Sequence, residues 1–240
     1  MESERKNLQE IINYRLEKLE KIKLAGYNPY AYNFDKTHDI KLIISKGKKF
    51  LGKKFKTAGR MVSFRKMGKA SFTHIQDDTG KIQVYLKNDL LSESVYDDIV
   101  RNLDLGDIIA CIGGLFITKM GELSIKADNV IILSKNIRPL PNMKEKEGRL
   151  FNAFEDKDLR YRHRQLDLIA NPGVKDIFRK RAKIISYIRK YLDENSFIEV
   201  ETPVLQPIYG GASARPFTTF YNTLDQSYYL RIADELYLKR

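Results

Sequence analysis

The segment "GKIQVYLKND" constrains the fold more than any other part of this chain, because apolar and polar residues alternate along it. One face carries Ile82, Val84 and Leu86, and the residues between them fall on the opposite face. A period of two places successive side chains on opposite sides of an extended strand and does not fit the period of a helix. The segment therefore predicts a β-strand that buries one face in a core.

Similar segments surround it between residues 53 and 135. "KASFTHIQDD" precedes it across a turn at Asp77–Gly80, whereas "GDIIACIGGLFI" and "ELSIKADNVIIL" follow and are joined by a turn at Lys119–Gly121. Between the third and fourth strands, "LSESVYDDIVRNLD" has the pattern of a helix. This order is that of a five-stranded OB-type barrel. Another small β-barrel with the same number of strands is the alternative.

The regions on either side of the barrel are helical or extended. Apolar residues at helical spacing predict an amphipathic helix over residues 3–25, with Gly26 at its C-terminal cap. Pro139 and Pro141 favour an extended connector over 136–172. A helix over 174–195 and a strand in "FIEVETPVL" then open a last part, 173–240. We therefore expect three parts, with 1–135 forming the helix and barrel.

The net charge of +12 in 240 residues indicates a polyanionic partner. Residues 41–69 contain many Lys and Arg but no Asp or Glu, which favours nucleic acid, although a solvated basic face gives the same pattern. A single cysteine, Cys111, fits a reducing cytoplasm. With three scattered histidines it makes a zinc site unexpected, and we interpret those histidines as surface or packing residues. No apolar run is long enough for a membrane span, and the charged N-terminus lacks the pattern of a signal peptide.

OB barrels bind single-stranded nucleic acid by stacking bases on exposed aromatic rings. Phe72 on the second strand suits stacking, and Gln83 on the third suits a hydrogen bond to a base edge. Glu122, in the hairpin "KMGELSI", could accept a hydrogen bond from a base. Ordinary packing for Phe72 and an ordinary surface charge for Glu122 are the alternatives.

Five segments together resemble the class II lysyl-tRNA synthetases, and they occur in order along nearly the whole chain. They are "GRMVSFRKMGKASFTHIQDDTGKIQVYL", "GELSIKADNVIILSKNIRPLP", "DLRYRHRQLDLIANP", "FIEVETPVLQPIYGGASARPF" and "YYLRIADELYLKR". The resemblance, from which the N-terminal helix is excepted, implies an OB-fold barrel followed by the start of an antiparallel-sheet catalytic domain. It also implies cytoplasmic attachment of lysine to tRNA(Lys), with ATP as a substrate.

The same resemblance implies roles for particular residues. Phe72, Gln83 and Glu122 match the positions that read a uridine-rich anticodon, and Arg60 and Arg65 are expected beside them as phosphate or base contacts.

In the last part, Pro203 matches a position at the interface of a homodimer, and Gly211 matches a loop that closes around the amino acid. Glu235 matches the carboxylate that contacts the amino group of lysine, although a helix salt bridge with Lys239 is the alternative. Asp234 departs from the family, which usually has proline there.

The resemblance places the ATP-binding arginines and the Mg²⁺ ligands beyond residue 240, so no catalytic or metal-binding residue is expected within this span. We therefore expect that these residues alone do not form lysyl-adenylate. Two other functions remain as alternatives. One is an aspartyl- or asparaginyl-type synthetase, and the other is a non-catalytic OB-fold module that binds tRNA or another RNA.

Overall fold

The structure is a computed structural model that describes residues 2–141, 143–146, 149–152 and 154–239. The chain divides into two compact units, of which the first ends at Ala170 and the second begins at Asn171. The predicted connector includes Asn142, Glu147, Gly148 and Ala153, which lie outside the described residues.

The first unit begins with helix α1, Glu2–Leu24, as the apolar spacing predicts. Gly26 ends it with a φ of +86°, while the N–H groups of Gly26 and Tyr27 donate to the carbonyls of Lys23 and Ile22. These two bonds form a Schellman cap, for which glycine is favoured because of its positive φ. The predicted apolar stripe is only partly covered. Leu19 and Ile22 are buried near the C-terminus of α1, whereas other positions of the stripe remain exposed or half-buried.

A buried group of charges links α1 to the barrel. Lys135 Nζ lies 2.6 Å from Asp104 Oδ2 and 2.9 Å from Asp107 Oδ2, and Lys18 of α1 pairs with Asp104 from the other side. Burial acts to raise the pKa of Asp104, but the hydrogen bonds from Lys135 and Lys18 outweigh it and lower that pKa. The charged form of this carboxylate is thus part of the folded structure.

Five strands form a closed barrel in the order β1-β2-β3-β5-β4. The pairing of β3 with β5 is parallel, and the other four pairings are antiparallel. Inward positions alternate with outward ones along β2 and β3, so that Ile82, Val84 and Leu86 enter the core as predicted. The five-stranded OB-fold barrel is confirmed. Its strands are β1 Lys54–Met67, β2 Ala70–Gln76, β3 Lys81–Lys87, β4 Ile108–Ile117 and β5 Leu123–Ser134.

Short helical elements complete the first unit. Helices α2 (Ile40–Ser45) and α3 (Gly47–Phe50) precede β1, and the predicted helix between β3 and β4 is a π-helical turn (Val95–Ile99) followed by a 3-10 turn (Val100–Asn102). After the barrel come an antiparallel hairpin and two more helices. These are β6 Met143–Lys146, β7 Arg149–Asn152, α4 Lys157–Arg162 and α5 Arg164–Ala170.

The second unit contains helix α6, Pro172–Glu194, and an antiparallel sheet in the order β8-β10-β9. The helix confirms the prediction for 174–195 to within two residues at its start and one at its end. Most of its apolar stripe is exposed, and Val174 is the buried member. The remaining elements are β8 Leu205–Gln206, β9 Thr218–Tyr221, β10 Gln226–Leu230 and α7 Glu235–Leu238.

The strand predicted in "FIEVETPVL" is wrong over most of its length, because residues 197–203 form no strand and β8 begins only at Leu205. A strand needs a neighbour to pair its backbone groups, and β10 meets this segment only at Leu205 and Gln206. The apolar residues Phe197, Ile198 and Val200 suggested a strand from their composition, yet their side chains are exposed.

One carboxylate holds the turn between β2 and β3. Asp77 Oδ1 accepts hydrogen bonds from the N–H groups of Thr79 (2.7 Å) and Gly80 (2.9 Å), and Oδ2 accepts one from the N–H of Ile40 (3.1 Å) in α2. Partial burial acts to raise the pKa of Asp77, but the bonds from Thr79, Ile40 and Gly80 outweigh it and lower that pKa. The ionised Asp77 therefore joins α2 to the hairpin.

We predict that Asp77→Asn lowers the free energy of unfolding by about 1–3 kcal/mol at neutral pH, because a charged acceptor of several hydrogen bonds is lost. The pKa of Asp77 is lower in the folded chain than in the unfolded chain, so its stabilisation is present above the unfolded value of about 3.9. It is lost as the pH falls through the folded pKa. Urea unfolding at several pH values should show the two proteins converging in acid. Glu93→Gln, at an exposed carboxylate, is the control. A difference that does not depend on pH would contradict the prediction.

Candidate functional site

A cleft on the outer face of the barrel carries a row of three aromatic rings. Phe72 of β2 and Tyr85 of β3 are cross-strand partners with ring centroids 4.9 Å apart, and Phe116 of β4 lies 5.8 Å from Tyr85. The period-two alternation of the strands turns these rings away from the core. The cleft has a volume of about 770 Å³. Its lining also includes Ser63, Phe64, Arg65, Met67, His74, Gln83, Thr118, Lys119, Met120 and Glu122.

Beside the rings, polar side chains form a connected array. Gln83 Nε2 donates to Glu122 Oε2 at 2.7 Å, and Ser124 Oγ donates to Gln83 Oε1 at 2.7 Å. His74 Nε2 lies 2.9 Å from the other carboxylate oxygen of Glu122. These contacts orient the Gln83 amide, with its nitrogen toward Glu122 and its oxygen toward Ser124.

The positions of Gln83 and Glu122 depend on barrel closure. The parallel pairing of β3 with β5 sets Gln83 opposite Ser124, two residues after Glu122. Within the β4–β5 hairpin, the Thr118 N–H donates to the Glu122 carbonyl at 2.9 Å, and the Glu122 N–H donates to Thr118 Oγ1 at 3.0 Å. Two hydrogen bonds with Thr118 therefore hold the backbone of Glu122.

The two predicted arginines lie in different places. Arg65 is exposed and lines the cleft together with Lys119, so both side chains can contact an anion bound there. Arg60 does not line it; its Nη1 donates to the Gly106 carbonyl at 2.8 Å, and burial lowers its pKa although Asp107 acts in the opposite direction. The structure thus brings Phe72, Gln83, Glu122 and Arg65 together, and gives Arg60 a contact within the protein.

This arrangement can bind a planar base rather than transform it. The rings offer a stacking surface, while Gln83 and Glu122 offer a donor and an acceptor at its edge. From the sequence alone, His74 is interpreted as a surface or packing residue, and no role is predicted for Phe116 or Ser124. The alternation of β2 places His74 on the face of Phe72, which is a usable signal, whereas the position of Ser124 follows only from the strand register.

In the second unit, Gly211 and Glu235 lie close together. Gly211 has a φ of +85°, and a Cβ atom there would lie 3.0 Å from Glu235 Oε2 and 3.1 Å from Ala233 Cβ. Glu235 is partly exposed and pairs with Lys239 one helical turn later, so the helix salt bridge considered above is present. The loop and the carboxylate nevertheless form one surface, which a ligand ammonium could approach.

Asp234, the residue predicted to depart from the family pattern, has side-chain partners of its own. Arg231 Nη1 lies 2.8 Å from Asp234 Oδ1, and the Thr202 hydroxyl donates to the same oxygen. The φ of Asp234 is −85°, which is close to the range of proline. Pro203, the next residue after Thr202, is exposed, and its carbonyl accepts a hydrogen bond from Gln206 Nε2 at 3.1 Å.

Three other features were considered in the described part of the chain: a cysteine nucleophile, a metal site and a membrane-spanning helix. Burial raises the pKa of the Cys111 thiol to about 12, so this cysteine is not a nucleophile. Among the described residues, no group of three or more His, Cys, Asp or Glu side chains is arranged to hold a metal ion. None of the described helices combines the length and apolar character needed to cross a membrane.

Two protein families match different segments of this chain. The family described as OB-fold nucleic acid binding domain matches residues 55–133, which include nearly all of the barrel strands and the residues lining the cleft. The family described as tRNA synthetases class II (D, K and N) matches residues 156–240, which include Gly211 and Glu235.

Three curated relatives, each named lysine–tRNA ligase, align with almost the whole chain. Those of Carboxydothermus hydrogenoformans, Fusobacterium nucleatum and Pelotomaculum thermopropionicum are 45%, 46% and 47% identical to it, over 99%, 96% and 98% of its length. The resemblance to the lysyl-tRNA synthetases is confirmed. The chain spans slightly under half of these relatives, at 47%, 45% and 45% of their lengths.

We predict that Gly211→Ala destabilises the second unit by about 1–2 kcal/mol, because an L side chain is strained at positive φ and its Cβ would crowd Glu235. Gly173→Ala is the matched control, since Gly173 lies in α6 with open space around its Cβ position. That change should be neutral or stabilising by up to about 1 kcal/mol. Thermal unfolding followed by circular dichroism compares the two variants, and equal melting temperatures would contradict the prediction.

Proposed function

We propose that the protein carrying this chain is a lysine–tRNA ligase that attaches lysine to tRNA(Lys) through a lysyl-adenylate. The observation that carries the proposal is the cleft where Phe72, Gln83 and Glu122 meet, in a chain 45–47% identical to three lysine–tRNA ligases. Because the chain spans under half of those relatives, we propose the activity for the whole protein.

The cleft is proposed to read the anticodon. Uracil has one N–H donor between two carbonyl acceptors, so Glu122 can accept from the N–H while Gln83 donates to a carbonyl. Phe72 supplies the stacking surface for such a base. Arg65 is proposed to contact phosphate. Arg60 is proposed to act from beside the cleft, where its guanidinium also donates to the Gly106 carbonyl.

The amino-acid side of the reaction is assigned to the second unit. Glu235 is proposed to bind the amino group of lysine, with the backbone of Gly211 close to the same ligand. The lysine carboxylate attacks the α-phosphorus of ATP and pyrophosphate leaves. A hydroxyl of the terminal adenosine of tRNA then attacks the lysyl carbonyl, and AMP leaves. Mg²⁺, when bound, supplies positive charge over the phosphates.

The proposed organisation follows the predicted parts. Residues 1–135 form the anticodon-binding domain, 136–172 the connector, and 173–240 the beginning of the catalytic domain. We also propose a cytoplasmic homodimer with Pro203 at its interface. The exposed apolar residues of α6 and of the segment before β8, including Ile177, Ile188 and Phe197, support such an interface.

We predict that Phe72→Ala weakens binding of the 240-residue chain to an RNA stem–loop with three loop uridines by about 1–3 kcal/mol, because a stacking surface is lost. Fluorescence anisotropy with a labelled stem–loop measures the affinity. Tyr32→Ala removes a fully exposed ring that does not line the cleft and should leave the affinity unchanged. Equal losses in the two variants would indicate that the cleft is not the site of stacking.

We predict that Glu235→Gln, in the complete protein, raises the KM for lysine about 10- to 100-fold, because an ammonium ion loses its charged partner. Lysine-dependent exchange of pyrophosphate into ATP measures this effect. Lys239→Ala removes the helix salt bridge and keeps the carboxylate, so it should change the KM less than about fivefold. An equal effect of both substitutions would mean that Glu235 acts only through its salt bridge.

A further inference from the structure

His74 lines the cleft beside Phe72 and contacts two other elements of the barrel. It follows Phe72 by two residues along β2, so the two side chains share the outer face. Its imidazole lies between two other elements of the barrel. Nδ1 is 2.8 Å from Ser63 Oγ of β1, and Nε2 is 2.9 Å from Glu122 Oε1 of the β4–β5 hairpin.

The partners of the ring define its contact with Glu122. A carboxylate only accepts, so Nε2 carries a hydrogen and donates it to Glu122. The hydroxyl of Ser63, which can donate or accept, forms the hydrogen bond with Nδ1. Ser63 Oγ also accepts the backbone N–H of His74 at 3.1 Å, which holds the serine hydroxyl beside the ring. Both nitrogens of His74 are thus satisfied, and the ring is fixed in one orientation.

Two hydrogen bonds with Thr118 hold the backbone of Glu122, but its side chain needs support of its own because it is largely open to solvent. Its side chain is 47% exposed, and it follows Gly121, which has a φ of +84° and open space around its Cβ position. A glutamate at an exposed hairpin loses considerable rotamer freedom when it is held in one conformation. Here His74 and Gln83 each hold one carboxylate oxygen. Part of the entropic cost of ordering the Glu122 side chain has therefore been incurred before a ligand binds.

We propose that His74 is a positioning residue that fixes Glu122 and thereby sets the preference of the cleft for uracil over cytosine. The inference rests on the proposed function of the cleft as a reader of uridine. A carboxylate held at the base edge accepts the N3–H of uracil. Cytosine has an unprotonated N3. The lone pair on this nitrogen would face the fixed carboxylate oxygen, and the two would repel each other. Such repulsion gives specificity only if the carboxylate cannot turn away from the wrong base.

Loss of the imidazole should therefore reduce discrimination between the two bases. In His74→Ala, Glu122 retains Gln83 as its partner and can turn one oxygen away from a cytosine. We expect the ratio of uridine to cytidine affinity to fall about three- to tenfold, as the freed side chain no longer enforces the contact. His74→Gln, whose amide can donate to Glu122, should restore most of the ratio.

The experiment measures binding of the 240-residue chain to two RNA stem–loops by fluorescence anisotropy. One has three loop uridines, and the other has cytidine in place of the central uridine. Gln76→Ala is the matched control, because Gln76 lies on the same face of the same strand but does not line the cleft. Thermal unfolding checks that each variant is folded. His74→Leu, which has no donor, replaces His74→Ala in the comparison if the latter unfolds.

The outcomes separate this inference from the function on which it rests. If the unmodified chain binds both RNAs equally, the proposed reading of uridine fails and the inference fails with it. If the unmodified chain discriminates and the folded His74→Ala or His74→Leu variant keeps the same ratio, the inference is overturned while the proposed function stands. A reduced ratio that His74→Gln restores, with Gln76→Ala unchanged, supports the positioning role.

Discussion

Closure of the barrel by the parallel pairing of β3 with β5 is the constraint on which the first unit depends. This pairing sets Gln83, Val84 and Tyr85 opposite Ser124, Ile125 and Lys126. On the inside it encloses Val84 and Ile125 in the core, and on the outside it brings the β4–β5 hairpin beside β3. Without closure, the amide of Gln83 and the carboxylate of Glu122 would lie on unconnected elements. The same strand pairing therefore forms both the core inside the barrel and the cleft on its outer face.

Closure also explains two glycines in the strands. A Cβ atom on Gly113 would lie 2.0 Å from the Lys126 carbonyl oxygen, at the point where the register between β4 and β5 shifts. A Cβ atom on Gly59 would lie 2.9 Å from the Gln76 backbone, close to the shift between β1 and β2. Such close approaches of neighbouring backbones allow sharply bent strands to close a small barrel. The glycines therefore serve backbone packing, since a larger residue would force the strands apart.

The extent to which the fold could be predicted differs between elements. Periodicity predicted β2, β3, α1 and α6 because local alternation or helical spacing reports which face is buried. It was wrong for residues 197–203, where apolar composition suggested a strand but no neighbouring strand pairs with the backbone. The same limit applies to the stripes of α1 and α6, whose spacing predicted the helices correctly without showing how much of each stripe is covered. Pairing and burial both require a second element, which a local pattern does not contain.

The amino-acid sequence by itself predicted the five barrel strands, helices α1 and α6 and the cap of α1 at Gly26, which follow from residue type and short-range spacing. The choice of Phe72, Gln83 and Glu122 as a set came from the resemblance to the lysyl-tRNA synthetases. Only the tertiary structure decided that Arg65 lines the cleft while Arg60 donates to Gly106, and that His74 and Ser124 hold the polar array. The physical reason is that hydrogen bonds across a closed barrel join residues far apart in the chain, such as His74 and Glu122, which are 48 positions apart. Their geometry depends on strand register, which the local sequence does not specify.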